Sequence, residues 1–252
     1  MRYFETYFSN LYNRTMQEAY RCGYELVAAS LREKGKCLDC GAGEGEHFAH
    51  LQGLMDLDID RYHGIDWNSE CAQRARTKGI PVMTGDLNRE LPFGDGEFQC
   101  VFGFSVLEHL LNGCRWMREA KRVLKPGGTL VILSPNIATW FTALLIVLGR
   151  MPSIGPHPDS LLLKTAESPL PFAAGFTADL ESDTPLHRHL IVFSYRALKR
   201  YLAICGFTEI KGRAFGLYPF PAFIQPLVER IDPWHCHQMV FSARKSPALI
   251  LS

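Results

Sequence analysis

The sequence predicts an α/β fold, a doubly wound sheet of seven strands with helices on both faces. Three observations carry that expectation. From residue 36 to residue 133, short apolar runs of strand length alternate with stretches of helical periodicity, a beat that pairs strands in parallel through right-handed crossovers. A glycine-rich turn, Gly41-Ala42-Gly43-Glu44-Gly45, follows the first strand directly. Acids then stand at or just beyond the ends of the first three strands, at Asp39, Asp66 and Asp86.

Residues 10–34 form the first expected helix, amphipathic through Met16, Tyr20, Tyr24, Val27 and Leu31. Lys34-Gly35 ends it, and KCLDC at 36–40 fits a buried strand. A helix over 46–55, a strand over 62–66, a helix over 69–78 and a strand over 81–84 continue the alternation. The fourth strand, 98–104, leads into a helix over 106–124 with Leu107, Leu110, Leu111, Cys114 and Met117 on one face. Pro126-Gly127-Gly128 breaks that helix, and 129–133 is the fifth strand. The beat then stops, because 135–190 is rich in proline, aromatic and apolar residues and fits no simple unit. A helix over 194–205, through Leu198, Tyr201, Leu202 and Cys205, resumes it. Strands over 207–215 and 238–244 close the chain, separated by the aromatic, proline-rich connection 216–234.

At 252 residues the chain suits one domain. Its expected parts are an N-terminal helical segment (1–35), a cofactor-binding core (36–136), an insert or substrate cap (137–192), and a C-terminal helix with the last two strands (193–252). Hydrophobic residues at 47% and charged residues at 21% describe an ordinary globular protein. A formal net charge of +1 supplies no global field toward nucleic acid or an anionic membrane. The opening MRYFETYFSN has no apolar signal core, so a cytoplasmic location is expected. The eight scattered cysteines then read as reduced, mostly buried thiols.

A glycine-rich turn between strand and helix lets backbone approach a ligand without Cβ clashes. The dinucleotide fingerprint needs G-x-G-x-x-G, whereas the spacing here is G-x-G-x-G, with Glu46 in the third glycine's place. Asp39, two residues before the first glycine, would sit awkwardly beside a pyrophosphate but suits a cationic or hydroxyl-bearing ligand. Asp66 is placed to accept from two ribose hydroxyls. Asp86 can accept from an exocyclic amine, with Leu87 against a purine. A nicotinamide-dependent reductase is disfavoured by the glycine spacing and by the lack of a Tyr/Lys or Ser/Tyr proton-donor set.

Together LDCGAGEG, GIDWN, GDLNRELPF, FQCVFGFSVLEHL and REAKRVLKPGGTLVILSPN, spanning roughly 36–136, resemble the successive motifs of the class I S-adenosylmethionine-dependent methyltransferases, in particular their type 11-like small-molecule group. That resemblance implies a Rossmann-like sheet of order 3-2-1-4-5-7-6 with the last strand antiparallel. It also implies S-adenosyl-L-methionine as cofactor and S-adenosyl-L-homocysteine as product. Carried over by position, Asp39, Gly41, Gly43 and Gly45 would line the methionine end and Asp66 would hold the ribose. Trp67, Asp86 and Leu87 would surround adenine, with Phe104 and Ser105 near the sulfonium. Cys40 departs from the aliphatic or small residue more usual there.

Cys37 and Cys40 share C-x-x-C spacing, but no second such pair completes a zinc site. Nor do they open a helix, as a redox dithiol would. His47 and His50 lie nearby on the next helix, and His235 and His237 could share one face of a strand. Two ligands do not make a site, and no metal is expected. Methyl transfer needs a general base only where the acceptor must lose a proton. His109, after the fourth strand, is the first candidate; His187 and His189 in TPLHRHLIVFS come next, of which His189 is retained.

Asn136 can cap a helix over 137–148, IATWFTALLIVL, apolar on nearly every face and stopped by Gly149. Twelve residues span about 18 Å, short of the roughly 30 Å of a membrane core. It is buried under MPSIGPHPDSLLL at 151–163, roofs an apolar pocket, or touches a membrane or a second subunit. With FGLYPFPAF at 215–223, it suggests an apolar acceptor cavity. The acceptor expected is a small molecule, or a lipid- or sugar-linked hydroxyl. Nucleic acid is disfavoured, since no N/D-P-P-Y/F stretch follows strand four and basic residues do not cluster with aromatics. A non-catalytic, cofactor-binding assembly subunit with the insert as partner surface is the competing reading. Oligomeric state is left open.

Overall fold

The computed structural model describes residues 2–31, 35–149 and 189–247. Most of the expected insert, including His187, lies outside them. The seven strands are β1 (Cys37–Cys40), β2 (Tyr62–Asp66), β3 (Val82–Thr84), β4 (Phe98–Phe104), β5 (Leu124–Pro135), β6 (Phe207–Phe215) and β7 (Gln238–Lys245). They form one sheet in the order β3-β2-β1-β4-β5-β7-β6. The first five run parallel, and β7 is antiparallel to both of its neighbours. This is the architecture expected.

Burial on both faces explains why the central strands are short and almost wholly apolar. β1 is buried at every position, and its alternate residues serve two separate cores. Leu38 and Cys40 join Trp116, Met117, Leu198 and Leu202, from helices α4 (Gly113–Val123) and α6 (Tyr195–Ile204). Cys37 joins Val27, Leu31, Phe48 and Leu51 on the opposite face, under α1 (Arg2–Ser30) and α2 (Glu46–Met55). The two cysteines thus point to opposite sides of the sheet, and burial pushes both thiols far up in pKa. Their C-x-x-C spacing forms neither a dithiol nor half a metal site. Helix α3 (Ser69–Thr77), capped by the Asn68 side chain, lies by β3.

Four elements differ from expectation. The first helix begins at Arg2, not residue 10. The helix expected over 106–124 is two pieces, a 3-10 turn at Leu107–His109 and then α4. Ser105 sits at φ 53 and Leu110 is extended, so the chain leaves β4 through a kink before a helix can start. Pro126-Gly127-Gly128 lies inside β5, whose pairing with β4 shifts register between Phe98 and Cys100. Helix α5 (Trp140–Val147) is capped by Thr139 in a reciprocal pair with Thr142, rather than by Asn136. Asn136 is buried and donates to the carbonyls of Trp234 (2.8 Å) and Cys236 (2.7 Å). Gly149, at φ 67, stops α5 as expected.

The parallel strands bring the ends at Cys40, Asp66, Thr84, Phe104 and Pro135 to one edge. Because β7 runs the other way, its start at Gln238 pairs with Pro135 and with Phe215. The segment entering β7 therefore reaches the same edge.

Candidate active site

The loop from β1 to α2 is held from both sides. The amides of Gly41 and Ala42 donate to the Ile65 carbonyl at 2.8 and 3.2 Å, and the Gly45 amide to the Ala42 carbonyl at 2.8 Å. The Gly43 amide donates to Asp66 Oδ2 at 2.8 Å. Donors that a dinucleotide loop would aim at phosphate are thus directed at protein acceptors. Gly41 is required here twice over. Its φ is 83, and a Cβ would run into Val106 Cγ2 just beyond β4.

Asp39 is fully buried on the α1 face of the sheet. Its Oδ2 accepts from the Tyr62 hydroxyl and from His47 Nδ1 at 2.9 Å. Its Oδ1 is buried without a hydrogen-bond partner among the described residues. Burial alone would lower the His47 pKa, but the neighbouring Asp39 carboxylate more than offsets this and the pKa is raised. Burial, then the Asp39 charge, drives the Tyr62 phenol far up, so it stays a donor. Asp66, at the end of β2, is pinned by the Gly43 amide on one oxygen and by the Asn68 amide (2.8 Å) on the other. Each oxygen keeps a further lone pair.

The remaining predicted residues divide. Trp67 is substantially exposed beside Asp66, while Leu87 is buried against Ile65 and its neighbours. Phe104 is buried under α1, where a Cβ on Gly23 would come within 2.7 Å of its ring. Tyr20 of α1 donates to Ser105 Oγ at 3.3 Å. Asp86 stands apart. Its Oδ1 accepts from the Asn88 amide (2.8 Å) and side chain (3.0 Å), and Arg89 lies 3.4 Å from Oδ2. That carboxylate serves its own exposed turn.

A second group lies past β4. Glu108 is buried in the 3-10 turn, accepts from the Ser134 hydroxyl at 3.2 Å, and is pushed up to about 8 by burial. The Glu108 carbonyl accepts from the amides of Leu190 (2.7 Å) and Ile191 (3.3 Å), where the described chain resumes. This stitching sets the His189 ring 4.9 Å from His109, edge to face. The two candidate bases thus meet although 80 positions apart in the chain. Tyr12 and Tyr20 lie close enough to feel the Glu108 charge. His237 is half-buried, with its ring beside those of Tyr12 and Tyr218, and desolvation lowers its pKa to about 4. His235 instead pairs with Asp232 at 2.8 Å in a 3-10 turn, so His235 and His237 form no joint site.

His47, Tyr62, Tyr20 and Ser134 were not singled out as site residues by sequence reasoning. Tyr62 opens β2 opposite Cys37 and reaches Asp39 diagonally on the same face of the sheet, a contact that spacing along the chain does not reveal. His47 carried one usable signal, its place in the first turn of the helix after the glycine loop.

Strand order, the antiparallel seventh strand and a carboxylate-flanked glycine turn at the parallel edge define the class I methyltransferase architecture. The family model described as a methyltransferase domain matches residues 12–211, so the chain belongs to that family, whose class I members use S-adenosylmethionine. Over 105 residues it is 34% identical to a probable S-adenosylmethionine-dependent methyltransferase of Mycolicibacterium smegmatis, covering 41% of this chain and 39% of that protein. Over 102 residues it is 30% identical to the O-methyltransferase cnsE of Penicillium expansum, covering 38% and 36%. The matches thus span less than half of these relatives' length. A Thermotoga maritima crystal structure, described as a possible histamine N-methyltransferase, superimposes with a TM-score of 0.58 at 18% identity, covering 98% of this chain and 100% of that one. This last likeness concerns the fold.

Proposed function

We propose that the protein transfers a methyl group from S-adenosylmethionine to a hydroxyl of a small-molecule, lipid-linked or sugar-linked acceptor. The observation that carries this reading is the buried Asp39 Oδ1, without a partner among the described residues and beside a loop whose Gly41, Ala42, Gly43 and Gly45 amides are already engaged. Burying a carboxylate oxygen without a partner is costly, and an ammonium group on the ligand supplies the missing donor. The residues present fit the cofactor. Asp39 would face its amino group, with Gly41, Gly43 and Gly45 leaving room for the methionine end. Asp66 would accept from the ribose hydroxyls through its spare lone pairs. Trp67 and Leu87 would flank the adenine; Asp86 would reach the exocyclic amine only by giving up contacts in its own turn. Phe104 and Ser105 would stand next to the sulfonium.

When bound, the cofactor supplies an electrophilic methyl carbon that passes in line to a nucleophile while the C–S electron pair stays on sulfur. The chain's contribution is then positioning and exclusion of water. Where no ion occupies it, the His109–His189 pair past β4 would supply the base for the acceptor's hydroxyl proton. Support for oxygen as the accepting atom comes from this imidazole pair and from the likeness to an O-methyltransferase. Support for an apolar acceptor comes from α5, where Trp140, Leu144, Ile146 and Val147 are exposed among the described residues.

The test is methyl-labelled S-adenosylmethionine incubated with phenolic, sugar and lipid-linked hydroxyl panels. Label on an acceptor oxygen is the expected result. Label only on nitrogen or carbon would overturn the hydroxyl assignment. Cofactor binding without turnover, even in whole-cell extract, would favour the assembly-subunit reading.

A further inference from the structure

We infer that Glu108, His109 and His189 form a binding site for a single divalent transition-metal ion at the acceptor end of the sheet. Their ligating atoms, one carboxylate oxygen and two imidazole nitrogens, all lie within 4.8 Å of one another. Around one ion at about 2.1 Å, such atoms sit roughly 3 Å apart, so modest side-chain rotation closes the set. Two features of the backbone hold the group together. His109 follows Glu108 within one 3-10 turn. His189 precedes Leu190, whose amide is bound to the Glu108 carbonyl at 2.7 Å.

The donor set selects the ion. Two imidazoles with one carboxylate favour manganese, iron, cobalt or zinc over magnesium or calcium, which prefer all-oxygen shells. Three protein ligands leave coordination positions open, as a catalytic rather than structural site requires. Glu108 is buried, and a cation beside it offsets the cost of an anion held away from water. The Ser134 hydroxyl, donating to Glu108 Oε2 at 3.2 Å, orients the carboxylate from behind.

The site stands on these residues alone; its use in catalysis rests on the methyl-transfer reading. An acceptor oxygen bound at an open position loses its proton to solvent base more readily, as zinc-bound water does. The ion then replaces a histidine as the device that makes the nucleophile, because a metal-bound imidazole nitrogen cannot take that proton.

The experiment is titration of the full chain, prepared with chelator and dialysed, with cobalt(II) and zinc(II) by calorimetry, alongside visible absorption and paramagnetic proton spectra. About one equivalent of cobalt per chain is expected, with two exchangeable, hyperfine-shifted imidazole protons. His109→Ala and His189→Ala should each weaken the metal by about 10-fold or more while S-adenosylmethionine affinity stays within about twofold. Absence of saturable binding of either metal overturns the site, as does binding that neither substitution changes. Should a variant fail to fold, the imidazole resonances of the unsubstituted chain decide, and fewer than two would overturn it. Metal binding without S-adenosylmethionine binding would uphold the site and sink the methyl-transfer reading.

Discussion

Asp66 holds the glycine loop through the Gly43 amide and the start of α3 through the Asn68 amide, so one carboxylate ties both to the end of β2, and in the proposed reading it would also accept from the ribose. Asp66→Ala should weaken S-adenosylmethionine binding on the order of 10- to 100-fold, since hydrogen bonds to a charged group contribute about 1.5–3 kcal/mol each. Asp66→Asn, which keeps one acceptor oxygen, should lose less. Calorimetry that finds unchanged affinity in the alanine variant would remove the ribose role. The His47–Asp39 pair makes a pH prediction. Since the folded pKa of His47 is raised, the stability it contributes is fully present below the unfolded value and is lost as pH rises through the folded one. Urea unfolding should therefore show His47→Gln costing more at pH 5.5 than at pH 8.5; an equal or inverted difference contradicts the pairing. At this scale the sequence was readable for position, since Asp39 and Asp66 stand at or next to their strand ends as expected. It was silent on Tyr62, whose partner lies 23 positions away across a strand pair. For Asp86 the structure adds what the sequence did not show, that its carboxylate already accepts from Asn88 within its own turn.

Elements were legible to the degree that their period survives burial. The β-α alternation through β5 is carried by central strands such as β1 and β4, buried along nearly their whole length, and by helices with one apolar stripe, whereas the edge strand β3 buries only Val82. Boundaries failed where backbone, not pattern, decides: at Ser105, whose positive φ divides the expected helix, and at Gly127 within β5. Helix α5 shows the opposite case. An almost uniformly apolar stretch points to no particular face, and of its residues Thr142 alone is buried among the described residues, while Val147 is 81% exposed. Its start is set by Thr139, which accepts from the Thr142 amide at 3.0 Å. Thr139→Ala should cost about 1 kcal/mol, a fall of about 2–4 °C in midpoint for a domain of this size. Asn136→Ala should instead loosen the join between β5 and the segment entering β7. Melting that leaves Thr139→Ala unchanged would show that the cap contributes nothing to global stability.

For the whole molecule, one sheet couples the cofactor edge to the core, so ligand binding and stability report on each other. S-adenosylmethionine at 100 times its dissociation constant should stabilise by about 2.7 kcal/mol, raising the midpoint by about 5–10 °C. NAD should do nothing, and stabilisation by NAD alone would overturn the assignment. Trp116, fully buried where a Cβ on Gly103 would come within 2.9 Å of its ring, is the largest side chain of the α4-side core. Trp116→Ala should cost about 3–5 kcal/mol and abolish that ligand-induced shift if the protein no longer folds. The two ends of the described chain also meet. Tyr218 donates to Thr15 at 2.8 Å across 203 positions, and Tyr12 packs its ring on His237 just before β7. On a ribosome adding about 5–20 residues per second, α1 emerges roughly 10–40 s before the segment that covers its far end. Until then its apolar stripe can rest only on strands made earlier. The cover over α1 is the last of the described elements to be synthesised, so a nascent chain assembles the β1–β5 edge before the segment entering β7 can reach it.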